Sequence, residues 1–313
     1  MNLFDILETL NFSDAALIFY CLLNRIPIIV LGEESGIVDM FLIELTEIVN
    51  FRKEYVFYRD FLSEEDYGNL ISNEYTDYSL PRAHIRCPCS VSIKAINQLK
   101  EFDSWVIGFK IENDNGKLKS FITAIKKKMD FFLSILLFPN SYSVNLEFSE
   151  RYLKRIEQLR ILWEQPVAIT HLVSFNLEHL DISLEKRFLQ KISQYTNKVI
   201  AKMTNLFSEK VKSIDLNKDL KRALLDFENE ENELKKSLVR TEIQNFVSSS
   251  KKAFFILSRL NLLRDLDYKI NIESKTVLDI IDCHKVSIDR IIFFIYREWG
   301  ENFYNIIENG KIK

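Results

Sequence analysis

Hydrophobic residues along this chain change period near residue 140. Before it, short apolar runs alternate with segments of helical spacing. Residues 3–24 read as two short helices, with Ser13 and Asp14 as capping candidates for the second. Ile26–Leu31 is an apolar run of strand length, and residues 37, 38, 41, 42, 45, 48 and 49 repeat as one face of a helix. Tyr55–Tyr58, Ala83–Arg86, Trp105–Ile111 and Phe131–Phe138 read as further strands. Helical segments starting near Ser63, Val91 and Leu118 separate them. Strand and helix in alternation over residues 1–140 predict an α/β domain, with a mostly parallel five-stranded sheet covered by helices on both faces.

After Pro139 the pattern changes. Tyr152, Ile156, Leu159 and Trp163 have helical spacing, and Val167–Phe175 reads as a strand or an extended connector, so 141–182 is taken as a connector. From Ser183, Phe188, Ile192, Tyr195, Val199, Met203 and Leu206 follow steps of three and four. The pattern restarts at Leu220, Leu224, Phe227, Leu234 and Leu238, and again at Phe254, Leu257, Leu260 and Leu263. Narrow stripes of this kind are coiled-coil seams, and the break near 213–217 predicts an antiparallel hairpin over 183–266. The surface it pairs with lies either within the chain or on a second copy. Residues 267–313 read as short helices, with Ser287 capping one of them, and end in an Asn309-Gly310 turn.

Charge sharpens this division. Residues 1–150 carry a net charge of −8 and residues 183–264 a net of +7, within a chain of net −3. The two parts are expected to dock on each other or on charged partners. The four cysteines are too few and too scattered for a disulfide framework, which points to a reducing, cytoplasmic setting. Asp5 and Glu8 interrupt the first apolar residues, so no signal peptide is expected at the start. The most membrane-like stretch, Ala15–Leu31, is cut by Asn24, Arg25 and Pro27, so no membrane span is expected.

Candidate chemistry gathers where strands end. Gly32-Glu-Glu-Ser-Gly36 follows the first strand and opens a helix, the outline of a phosphate-binding turn. The stretch resembles a degenerate P-loop. It is one residue shorter than the working motif, and no Lys or hydroxyl follows Gly36. Glu33, Glu34 and Asp39 would themselves answer the helix dipole and repel a phosphate. If a ligand pocket exists in an open sheet of this kind, it should lie at the carboxyl edge, among Gly32, Glu33, Gly36, Asp60, Cys87, Cys89 and Glu112. His84-Ile-Arg-Cys87-Pro-Cys89 lacks the second ligand pair of a zinc site. Asp60 and Glu112 with Lys110 do not follow nuclease spacing, and His171 and His179 have no nucleophile beside them. No catalytic motif is complete and no cofactor is called for.

The basic pairs Lys186-Arg187, Lys221-Arg222, Lys235-Lys236 and Lys251-Lys252 lie on the helices. They are candidate phosphate contacts or solvated faces. The last forty or so residues resemble a winged helix-turn-helix unit, in which a final helix leads through an Asn-Gly turn into a wing strand. The segment 301–308 would be the reading element, but it carries Glu301 and Glu308 and no Lys or Arg, which favours protein over DNA. The expected function is a non-catalytic regulator or scaffold acting through protein contacts of the helical region, by a partner or by self-association. The alternatives are a nucleic-acid-binding regulator, or a ligand sensor or enzyme at the sheet edge.

Overall fold

The computed structural model describes residues 2–73, 78–98, 104–139, 141–154, 180–195, 219–268, 273–283, 285–304 and 306. Its centre is a six-stranded mixed sheet. The strands are β1 (Ile28–Gly32), β2 (Lys53–Val56), β3 (Ala83–Cys87), β4 (Trp105–Lys110), β5 (Phe131–Phe138) and β6 (Ser141–Phe148). Their order is β2-β3-β4-β1-β5-β6, with all neighbours parallel except β5 and β6. The sheet is therefore α/β, as the alternating pattern implies, but it has one strand more than expected. The sixth falls in residues taken as connector, and it is antiparallel because only two residues separate it from β5.

The helices are α1 (Leu3–Thr9), α2 (Phe12–Leu23), α3 (Ser35–Ile48), α4 (Glu64–Asn73), α5 (Ser92–Ala95) and α6 (Asn115–Lys126) before the last two strands. After them come α7 (Asp219–Asp265), α8 (Ser274–Ile280) and α9 (Ile288–Trp299), and residues 183–195 are also helical. The cap of α2 is Asn11, which accepts from Asp14 N at 2.9 Å, rather than Ser13 or Asp14.

Strand order decides which face each helix covers. The crossover from β1 to β2 runs one way along the sheet, and those from β2 to β5 run the other. Right-handed crossovers then put α3 on one face and α4 to α6 on the opposite face. The core residues divide accordingly. Ile28 and Val30 share a cluster with Val38, Phe41 and Leu42 of α3, whereas Ile29 and Leu31 meet Tyr67, Ala95, Leu118 and Ile125. The α3 face also collects α1, α2, α7 and α9 in the same cluster.

The 47 residues of α7 form one helix, roughly 70 Å long at 1.5 Å per residue. Its inner seam is Val239, Ile243, Phe246, Ser250, Ala253, Phe254 and Leu257, all buried, so at least part of its partner surface lies within the chain. Phe246 meets Phe294 at 5.0 Å between ring centres, and Phe254 meets Trp299 at 5.2 Å. Five consecutive residues of α9, Ile291–Ile295, are buried, so this short helix is enclosed on nearly all sides. Val167–Phe175, the break at 213–217 and the Asn309-Gly310 turn lie outside the described residues.

Candidate functional site

The first place to look is the crevice where β1 and β4 end, because their following helices leave on opposite faces. Only Glu33 and Glu34 separate β1 from α3. Gly32 is required by packing: a Cβ there would stand 2.8 Å from both the Leu137 carbonyl oxygen and Val38 Cγ2. Gly108, on the neighbouring β4, is equally constrained, with Val38 Cγ1 at 2.7 Å. The two glycines let α3 press onto the sheet. Gly36 is an ordinary helical residue with open space where a Cβ would be.

The acids of this edge bind the protein's own backbone. Glu33 Oε1 accepts from Asn113 N at 3.2 Å and joins the turns after β1 and β4. Asp39 Oδ1 accepts from Cys89 N at 2.8 Å and ties α3 to the turn after β3. Asp60 Oδ2 accepts from Val56 N at 2.7 Å, closing a turn at the edge strand β2. Two strand spacings, about 10 Å of sheet, lie between β2 and β4. Glu112 pairs with Lys117, both largely exposed. Asp114 caps α6 through Gly116 N and Lys117 N, and those bonds hold its carboxyl below the usual range.

Cys87 and Cys89 face opposite sides of the sheet, one in each core cluster. Burial first, and the Asp39 carboxylate second, push the Cys87 thiol up to about 12 and raise Cys89 as well. Both stay protonated at neutral pH and are poor nucleophiles or metal ligands. His84 faces away from Cys87 and is buried. Among the described residues, no group of three or more His, Cys, Asp or Glu could hold a metal.

The second place is the basic surface of α7. Lys235 Nζ lies 2.7 Å from Glu8 and 2.8 Å from Glu231, and Lys236 lies 3.3 Å from Glu47 and 3.2 Å from Glu233. Burial works against the charge of Lys235, but its bonds to Glu231 and Glu8 outweigh that and raise its pKa. Glu8 belongs to α1 and Glu47 to α3, so the basic middle of the chain docks on its acidic beginning. Lys251 and Lys252 are exposed and make no ion pair among the described residues. Lys221 and Arg222 belong to α7, but their side chains lie outside the described part, as His171 and His179 do entirely.

What sequence reasoning missed is a set of arginines, Arg52 and Arg290 buried and Arg297 half-buried, that holds α9 in place. Arg52 meets Glu298 at 2.5 Å and donates to the carbonyls of Leu22 and Leu23, each at 2.7 Å. Arg290 meets Glu185 at 2.5 Å and donates to Asn24 Oδ1 at 2.6 Å. Arg297 donates to the carbonyls of Asn24 and Arg25 at 2.8 and 3.1 Å. Arg52 and Arg297 answer the open carbonyls at the end of α2. The partners of the three arginines lie 29 to 273 residues away, the two carboxylates more than a hundred, so no local spacing announces them. Comparison with protein-family models, curated proteins and solved structures finds no match to this chain. Among the described residues, no helix is long and apolar enough to cross a membrane.

Proposed function

We propose that this protein is a non-catalytic regulator or scaffold that works by protein–protein contact along the outward face of α7. The observation that carries this reading is a row of exposed apolar side chains opposite the buried seam. Phe255, Leu262 and Leu266 are 55%, 60% and 60% exposed, and Leu263 and Tyr268 extend the patch. At 100° per residue Phe255 and Leu262 fall within about 20° of each other, roughly 10 Å apart along the helix, and Leu266 follows just past its end at Asp265. The row thus points away from Ala253, Phe254 and Leu257, which anchor α7 to the body. A helix that is apolar on two opposite faces has one face left for a partner.

The N-terminal resemblance to a degenerate phosphate-loop domain fits a body that supports this face without chemistry. The acids beside its first turn already bond to backbone amides. The winged-helix resemblance of the tail fits the same role, because α9 is enclosed and serves as the platform on which α7 rests. Lys235 and Lys236, engaged with α1 and α3, lend nothing to a nucleic-acid reading.

The partner most directly testable is a second copy. Sedimentation velocity at tens of micromolar should show self-association of the wild-type chain and a monomer for the double variant Leu262→Glu/Leu266→Glu. Both should have the same circular dichroism. A wild-type monomer, or a variant that associates as well, overturns the reading.

A further inference from the structure

A cleft of about 460 Å³ lies between helical residues 183–195, the middle of α7 and the turn before α9. That is within the size of small-molecule sites. Its floor is apolar and built from the buried side chains of Leu184, Phe188, Phe246 and Val286. Its walls are polar, with amides from Gln190, Gln194 and Asn245 and the hydroxyl of Ser249.

Charge in the cleft is unevenly answered. Lys191 is neutralised by Glu242 at 2.6 Å. Lys285 and Asp282 stand exposed at the rim. Arg187 is different. Its Nε donates to the Ser183 carbonyl at 3.3 Å, but its Nη2 is shut off from solvent and has no hydrogen-bond partner. A buried guanidinium nitrogen without an acceptor is unfavourable, and guanidinium geometry matches carboxylate and phosphate oxygens. An apolar floor beneath an unanswered guanidinium asks for an amphipathic anion.

We propose that this cleft binds a small organic oxyanion, a carboxylate or phosphate monoester carried on an apolar or planar body, with Arg187 as its anchor. The Arg187 guanidinium turns its Nη2 toward the cleft and donates to the oxyanion, the body covers Phe188 and Phe246, and the amides grade its polar substituents. The site uses none of the outward residues of α7, so it stands or falls independently of the assembly face.

The test is a thermal-shift titration of the full chain with three probes at millimolar concentration: decanoate for the carboxylate source, AMP for the phosphate source, and inorganic phosphate as the headgroup alone. Decanoate or AMP should raise Tm by several degrees, with inorganic phosphate much weaker. Arg187→Met, which keeps the stem and removes the donors, should weaken that response at least tenfold. The ligand-free variant should melt at or above the wild-type temperature, because it removes an unanswered buried donor. The proposal fails if no probe shifts the wild-type protein, if Arg187→Met responds equally, or if the ligand-free variant melts lower, which would make Arg187 a structural residue.

Discussion

The carboxyl edge of the sheet and the surface under α9 are both rich in charge, and they use it in opposite ways. At the edge, Glu33, Asp39, Asp60 and Asp114 each bond a backbone N–H of a nearby turn, and the groups are exposed or half-buried. Under α9, Arg52 and Glu298 meet at 2.5 Å with side chains 0% and 3% exposed, across 246 positions of chain. Wet carboxylates trim loops at small gain; dry arginines decide whether the two ends of the chain stay together. The acids of the edge thus act as local stitches, and the short helix α9 is a keystone.

The largest effect expected from this contrast is at Glu298. Glu298→Ala strands a buried guanidinium and should cost about 3–5 kcal/mol in urea unfolding. Replacing both partners with apolar residues, Arg52→Met with Glu298→Leu, should recover much of that loss, because stranding one charge is worse than removing two. A loss under about 1 kcal/mol for Glu298→Ala would mean that the pair is as wet as the edge acids.

The same dry region contains His84, whose imidazole is pushed down to about 3, mainly by burial and further by Arg52, Arg25 and Arg86. The folded protein therefore keeps His84 neutral while the unfolded chain protonates it near 6.5. Above that pH the group has no effect. As pH falls below it the unfolded state gains the proton first, so stability declines by up to about 1.4 kcal/mol per pH unit. Between pH 6.5 and 4.5 His84 should account for about 2–3 kcal/mol of lost stability. His84→Gln should flatten that part of the stability profile, and equal slopes for variant and wild type would show that His84 is solvated.

How much of this could be read beforehand follows the range of each interaction. Ile28–Gly32 and Phe131–Phe138 announce themselves because a buried parallel strand is a continuous apolar run. Ser141–Phe148 does not, because Ser-Tyr-Ser-Val-Asn-Leu-Glu-Phe is half polar, as suits an edge strand. Along α7 the spacing points to Leu234 and Leu238, yet Lys235, Lys236 and Val239 are the buried residues. Lysines look solvated in sequence, and their acceptors Glu8 and Glu47 lie 227 and 189 positions away. In sequence Gly32 looks like part of a phosphate-binding turn, whereas the structure requires a glycine there for the approach of Val38 and Leu137. In sequence Arg187 is only half of a basic pair, since an unanswered nitrogen is a property of the fold around it.

The smallest expected effect, at Glu33, is the sharpest check on the wet side of the comparison. Glu33→Gln keeps an oxygen able to accept from Asn113 N and removes only the charge. If the edge is held by the hydrogen bond, the variant should unfold within about 0.5 kcal/mol of wild type, as exposed substitutions usually do. The difference should also not vary between 50 mM and 1 M salt, since screening acts on charge and not on a neutral acceptor. If the carboxylate instead holds the turn through its charge, the loss should exceed that value at low salt and vanish at high salt. That outcome would make the edge an electrostatic device like the arginine cluster, differing only in its exposure to water, and the contrast between the two regions would be one of degree.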